Sequence, residues 1–139
     1  MELAKRVVDK MIDGDAFSQW LGIEVLEITE GSCKLKMTVR EEMTNGFNIA
    51  HGGISYSLAD SALAFAANSD GIQSLSVETS ISHTKKVMSG DTLIAETQEI
   101  SKDDKDAVYH INIKNQDNIE IAHFKGKVYR TKREWFPKD

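Results

Sequence analysis

The sequence predicts an α+β fold in which a curved antiparallel sheet of about five or six strands wraps around one long apolar helix. Three observations carry this expectation. The stretch ISYSLADSALAFAA, Ile54 to Ala67, is made almost wholly of small and apolar residues, and a helix apolar on every side has to be surrounded. Several other segments alternate apolar and polar residues, as strands do when one face is dry and the other wet. A chain of 139 residues is long enough for one core and short for two. The economical solution puts the helix inside the curl of the sheet.

Leu3, Val7, Val8, Met11 and Ile12 recur at helical spacing, predicting an amphipathic helix over 2–12 that stops at Asp13-Gly14. DAFSQWLG adds a short second helix, with Phe17 and Leu21 on one face and Gly22 as its stop. The period then changes. GIEVLEI and CKLKMTV read as strands, and in the second Cys33, Leu35, Met37 and Val39 alternate with Lys34, Lys36 and Thr38. Thr29-Glu30-Gly31-Ser32 supplies their tight connection. The loop REEMTNGFNIAHGG leads into the apolar helix, which ends near Asn68-Ser69-Asp70-Gly71.

Strands are predicted over 74–82, 92–100, 107–114 and 119–130. In the first, Leu75, Val77, Thr79 and Ile81 share one face, while Ser76, Glu78 and Ser80 share the other. The last two strands bracket the hairpin turn NQDN. Gly126, inside the final strand, marks a bulge or a close backbone approach. The whole chain, 1–139, forms a single domain, with an N-terminal helix within 1–14 and a polar, loosely held tail over 131–139 that carries the only proline.

The formal net charge of -5 argues against a nucleic-acid surface, which relies on clustered Lys and Arg. The start MELAKRVVDKMIDGD has no uninterrupted apolar run, and nowhere do apolar residues extend far enough to span a bilayer. Neither a signal peptide nor a membrane span is expected. Cys33 is the one cysteine; it has no intramolecular disulfide partner and no evident activating neighbour, which suits a reducing cytoplasm and no role as a nucleophile. His110 and His123 are cross-strand neighbours if the hairpin pairs symmetrically, but two ligands do not complete a zinc set. No metal is expected.

Asp60 is the residue out of place. An ionised carboxylate in an apolar helix loses solvation that only a partner or a function repays. It either pairs with a Lys or Arg from a strand or does chemistry. Eight residues upstream, Gly52-Gly53 opens the same helix, where free N–H groups and the positive dipole end can stabilise an oxyanion. A carboxylate and an oxyanion donor around one carbon suffice for acyl transfer to water, with the carboxylate as nucleophile or general base. Eight helical residues rise about 12 Å, however, so Gly52 and Asp60 of one chain cannot serve the same carbon. If they cooperate, the protein is an obligate dimer with two equivalent sites between subunits.

TNGFNIAHGGISYSLADSALAFAANS, followed by ETSISHTKKVMSGDTLIAE and HFKGKVYR, resembles the hotdog-fold acyl-CoA thioesterases, in particular the PaaI-like branch of phenylacetic acid degradation. The likeness runs from about residue 15 to about residue 130. It implies a homodimer with one continuous sheet, usually paired again into a tetramer, with the thioester site at the dimer interface. The implied reaction hydrolyses an acyl- or aryl-CoA thioester to a free acid and coenzyme A, without a cofactor, metal, nucleic acid or membrane.

By this resemblance Asp60 is the catalytic carboxylate and Gly52, beside Gly53, the donor that polarises the thioester carbonyl; His51 and Asn45 line and orient the site. Ser61 offers a hydroxyl able to hold water, and Ser76 stands where some relatives place a water-positioning hydroxyl. His83 stands where relatives often carry an aromatic residue flanking the coenzyme. Lys85 and Lys86, and Lys125 and Lys127 on either side of Gly126, are the candidate cations for the coenzyme phosphates. A lysine at 86 departs from the proline usual in the family. Phe47, Ile54 and Phe65 are candidates for the acyl pocket. Simpler readings remain beside these: His51 as a helix cap, Asn45 as a turn residue, Ser61 and Ser76 as structural hydroxyls, and each lysine as a solvated surface charge. Rival functions are a non-catalytic acyl-CoA binder, a hydratase, which would need a DxNPxH-type motif, and a monomeric lipid carrier.

Overall fold

The computed structural model describes residues 2–138. Two short helices, α1 (Leu3–Asp13) and α2 (Ala16–Leu21), precede strands β1 (Glu24–Thr29) and β2 (Ser32–Thr38). Asp15 caps α2 by accepting the Ser18 N–H at 3.0 Å, and Gly22 closes it in the left-handed conformation, φ +75°, which glycine adopts without steric cost. A single turn of 3-10 helix, Glu41–Met43, and a loop then lead into α3 (Gly52–Asn68). The chain finishes with β3 (Ile72–His83), β4 (Thr92–Lys102), β5 (Asp106–Lys114) and β6 (Glu120–Glu134).

All six strands pair antiparallel, in the order β1-β2-β4-β5-β6-β3. Their inward residues, Leu35 and Met37 on β2, Ile111 and Ile113 on β5 and Phe124 on β6, close over Leu58, Leu63 and Phe65 of α3. The alternation of β2 is as expected: Cys33, Leu35 and Met37 are buried and the lysines between them are not. The fold is therefore the α+β arrangement read from the sequence. No helix among the described residues is long and apolar enough to cross a membrane.

Three details differ from expectation. Leu75, Val77, Thr79 and Ile81 do not share a face, because the β3–β6 register shifts between Ser76 and Glu78. One extra residue in a strand reverses the side-chain phase beyond it. Ser76 opposes the buried Val128, while Thr79 and Ile81 oppose Gly126 and Phe124, so these three point inward and Leu75 points out.

Nor is the chain loose from residue 131. β6 runs to Glu134, Trp135 N–H donates to Gly71 O at 2.8 Å, and the Trp135 indole N–H donates to Asn68 Oδ1 at 2.9 Å. These bonds pin the expected tail to the end of α3. Next to them Asp70, its side chain 8% exposed, holds Arg130 at 2.7 Å and Lys102 at 2.8 Å.

Third, α3 is not enclosed all round. Gly53, Ser57, Asp60, Ser61 and Ala64, at spacings of three, four and seven residues, remain open to various degrees along one stripe, while Leu58, Ala62, Leu63 and Phe65 are fully buried. The carboxylate lies on the open side.

Candidate active site

The start of α3 is held from two directions. His51 N–H donates to Met43 O at 2.9 Å, and Ala50 N–H donates to Val87 O at 2.7 Å, tying the helix entrance to the 3-10 turn and to the loop after β3. His51 is the helix N-cap. Its Nδ1 accepts the Gly53 N–H at 3.4 Å, so the capping role set out for this residue is the one seen, with its ring exposed. Gly53 is thereby engaged. For the Gly52 N–H no acceptor is found among the described residues, as expected for the first N–H of a helix. It remains available to a substrate oxygen at the positive end of the helix dipole.

Gly52 opens into a cleft of about 360 Å³ that also includes Ser55, His83, Lys85 and Lys86. A side chain at position 52 would begin 3.4 Å from His83 Nε2; glycine leaves that slot beside the imidazole free. Two lysines beside a helix N-terminus make a cationic mouth suited to phosphates or to a developing oxyanion.

Asp60 stands elsewhere on the same helix. α3 and β3 run antiparallel to one another: the Gly52 slot faces His83, Tyr56 Oη hydrogen-bonds Thr79 Oγ1, and Ser74 N–H donates to Asn68 Oδ1 at 2.8 Å. Asp60 thus falls between Tyr56 and Asn68 along the helix, as Ser76 falls between Thr79 and Ser74 along the strand. No Lys or Arg among the described residues lies within ion-pair distance of Asp60, which removes the reading of a structural salt bridge within the protomer. Burial, and then the negative charge of Asp15, push its pKa above the ordinary aspartate value. A more basic carboxylate that keeps access to solvent is a better proton acceptor than an ordinary one. Because α3 is unbroken from Gly52 to Asn68, about 12 Å of helix separates Asp60 from the Gly52 N–H of its own chain.

The thioesterase superfamily model matches residues 47–122, the segment that contains both Gly52 and Asp60. The chain belongs to this superfamily. The acyl-coenzyme A thioesterase PaaI of Escherichia coli K12 is 38% identical over 120 residues, covering 86% of each chain. A protein of Archaeoglobus fulgidus is 40% identical over 136 residues, 98% of this chain and 88% of its own. The solved structure of the E. coli PaaI protein from the phenylacetic acid degradation operon superposes with a TM-score of 0.92 at 35% identity, over 94% of this chain and 95% of that one. The fold is the hotdog fold.

In this thioesterase-superfamily chain the other residues singled out above fall into separate places. Asn45 shapes its own loop: its Oδ1 accepts the Phe47 N–H at 2.9 Å and the Ile49 N–H at 3.3 Å, leaving only its amide N–H groups to face outward. The positive φ in that loop belongs to Asn48. Ser61 bonds Ser18 of α2, Oγ to Oγ, at 2.8 Å. Ser76 is exposed on β3, inward-facing beside the bulge.

The basic cluster divides. Lys85 and Lys86 line the Gly52 cleft, whereas Lys125 and Lys127 are exposed and pair in register with His110 and Val108, on the sheet face turned away from α3. Strand alternation sends them there, because Phe124, Gly126 and Val128 between them face the helix. Gly126 is no bulge and does not line the Gly52 cleft: a Cβ there would lie 2.5 Å from Leu63 Cδ2, so it is the close approach of helix to strand. Phe65 is core, and Phe47 is 81% exposed on the loop before α3.

A larger groove, about 720 Å³, lies on the outer sheet face among Lys34, Lys36, Lys114 and Asn112, across the sheet from both Gly52 and Asp60. His110 and His123 meet edge to face on that outer side, ring centres 5.0 Å apart, and no set of three His, Cys, Asp or Glu able to hold a metal is found among the described residues. Burial pushes the Cys33 thiol up to about 12, which keeps it protonated and unreactive. Two participants escaped sequence reasoning. Tyr56 ties α3 to β3, and Asp15 acts on Asp60 from 45 residues away in sequence, with no periodic or motif signal connecting them.

Proposed function

We propose that this protein is an acyl-CoA thioesterase that hydrolyses an acyl- or aryl-CoA thioester to the free acid and coenzyme A, without a cofactor. The observation that carries the reading is a carboxylate and an N–H on one helix that are both unsatisfied among the described residues: Asp60 has no cation there and the Gly52 N–H no acceptor. The Gly52 N–H would hold the thioester oxygen as it becomes negative, and Asp60 of the other subunit would attack the carbonyl carbon or take a proton from attacking water. Lys85 and Lys86 at the cleft would receive the coenzyme phosphates. Kinship with a PaaI named for phenylacetic acid degradation favours aryl-acyl groups.

The dimer this requires is supported by the sheet edges. β1 is six residues long, bulged between Val25 and Glu27, and carries Glu24 and Glu27, devices that discourage pairing. β3, the other edge, has twelve residues, with Leu75 65% and Val77 59% exposed. Pairing β3 with its symmetry mate would give one continuous sheet and set two α3 helices side by side, open stripes and carboxylates within the join. A further pairing into a tetramer, and a reducing cytoplasm for the unpaired Cys33, complete the proposal.

Thiol release from a panel of acyl- and aryl-CoA thioesters tests the activity, and Gly52→Pro tests the donor. Position 52 is the first helical residue, where proline is well tolerated, and His51 has the extended ψ of 137° that a residue before proline prefers. The substitution deletes one N–H and keeps the helix, and Gly52→Ala, which places a Cβ in the same slot beside His83 but retains the N–H, is the steric control and should keep most of the activity. We expect kcat to fall by about 10²–10³-fold with an unchanged circular dichroism spectrum. Native activity in the variant would remove Gly52 from the mechanism, and binding of acyl-CoA without hydrolysis by the native protein would favour the non-catalytic binder.

A further inference from the structure

Beside Asp60 runs a hydrogen-bond chain that the proposed reaction has not yet used. Asp15, the cap of α2, accepts the Ser18 N–H on Oδ1 at 3.0 Å and the Ser18 hydroxyl on Oδ2 at 2.6 Å. Ser18 is 2% exposed, and its Oγ lies 2.8 Å from Ser61 Oγ. Ser61 follows Asp60 on α3 and shares its open stripe.

The direction of this chain is fixed by counting protons. A carboxylate only accepts, so the single hydroxyl proton of Ser18 goes to Asp15. The bond between the serines must then be donated by Ser61. Its one proton is thus directed at α2, and toward the open side Ser61 offers lone pairs alone. A water that reached both the Asp60 carboxylate and the Ser61 hydroxyl on the open stripe would meet two acceptors; satisfying both would point its protons at the protein and leave an oxygen lone pair facing outward.

We propose that Asp15 is a positioning residue of the active site: through Ser18 it makes Ser61 a pure acceptor next to Asp60, orienting the attacking water. The inference rests on reading Asp60 as the reacting carboxylate, and within that reading it selects the general-base route. The water oxygen bonds to the thioester carbon while one of its protons passes to Asp60. The tetrahedral oxyanion then collapses, the C–S bond breaks, and the departing thiolate takes that proton, leaving acid, thiol and the ionised carboxylate. The charge of Asp15 acts in the same sense. After burial it is what raises the proton affinity of Asp60, and among the described residues no other charged group, on α1, α3 or any strand, is found to act on it.

Asp15→Asn separates this role from simple capping. Asparagine caps a helix about as well as aspartate, so the fold is retained. With Oδ1 still accepting the Ser18 N–H, the second position becomes an NH₂ donor, which turns the Ser18 proton toward Ser61 and frees the Ser61 proton to point outward. The expected result is a fall in kcat on the order of tenfold at unchanged KM, with the acid limb of the kcat/KM profile moved to lower pH. Ser61→Ala should lower kcat similarly, and the double variant should be no worse than the worse single one. A carboxyl NMR titration of Asp60 provides a readout that needs no turnover, its midpoint moving down in Asp15→Asn. An unmoved acid limb and an unmoved Asp60 titration, with native kcat, would overturn the role of Asp15. Asp60→Asn serves as the control: if that variant keeps native activity, the site itself has been misassigned, whereas an inactive Asp60→Asn beside a native-like Asp15→Asn sinks the relay alone.

Discussion

Asp60→Asn is expected to slow thioester hydrolysis by about 10²–10⁴-fold, the span associated with loss of a general base, while making the protein more resistant to heat at neutral pH. Both effects have one cause. Burial and the Asp15 charge raise the Asp60 pKa in the folded chain above its ordinary value. Between those two values the folded protein holds a proton that the unfolded chain has released, so stability falls as pH rises through that window and then levels off. Above the window native Asp60 carries a desolvation cost that asparagine avoids. Below the ordinary aspartate pKa both states are protonated and the advantage of the variant disappears. Thermal melts of the two proteins across pH measure the difference directly. A destabilised variant at neutral pH would mean that Asp60 has a stabilising partner and is structural.

The largest loss of stability is expected at the other end of α3. Asp70 lies against Arg130 and Lys102, and Arg130 Nε is already buried without a hydrogen bond. Burial by itself would raise the Asp70 pKa, but hydrogen bonds from Lys102, the Ile72 N–H and Arg130, with the Lys102 charge, outweigh it and hold the carboxyl below the usual range. Asp70→Ala strands the Arg130 guanidinium in the interior, which costs about 3–5 kcal/mol when one partner of a buried pair is removed, and the melting midpoint should fall by more than about 10 °C. The native contribution of Asp70 is present above the ordinary aspartate pKa and is lost as pH falls through its lowered folded value. At permissive temperature the variant should keep its kcat, because Gly52 and its cleft lie at the opposite terminus of the helix. Urea melts and thiol-release rates on the same sample separate the two effects.

Much of this molecule was legible in its sequence because it is written in periods and exceptions. The alternation of CKLKMTV gives β2 its face, and one carboxylate in an apolar run marks α3 as the helix that carries chemistry. What escaped notice depends on relations between distant positions. The letters SLSVETSIS alternate without interruption, so the bulge beside Val77 became visible only against the register of β6. The polar run KREWFPKD resembles a free end, but Trp135 finds its partners at Asn68 and Gly71, more than sixty residues upstream. Charge alone groups Lys125 and Lys127 with Lys85 and Lys86, but strand alternation sends the two pairs to different surfaces. The Asp15-Ser18-Ser61 chain spans two helices whose packing no local pattern announces.

The central claim is that each reaction centre takes its Gly52 from one subunit and its Asp60 from the other. Mixing Asp60→Asn with Gly52→Pro after unfolding and refolding the two inactive proteins together tests it most directly. In a two-fold dimer the mixed species has one intact centre and one doubly damaged centre. Random assortment makes half the dimers mixed, so about a quarter of native activity should return. Should the mixture remain as inactive as its parents although mixed dimers are demonstrably present, the two groups would have to act within one chain, and the account would be wrong.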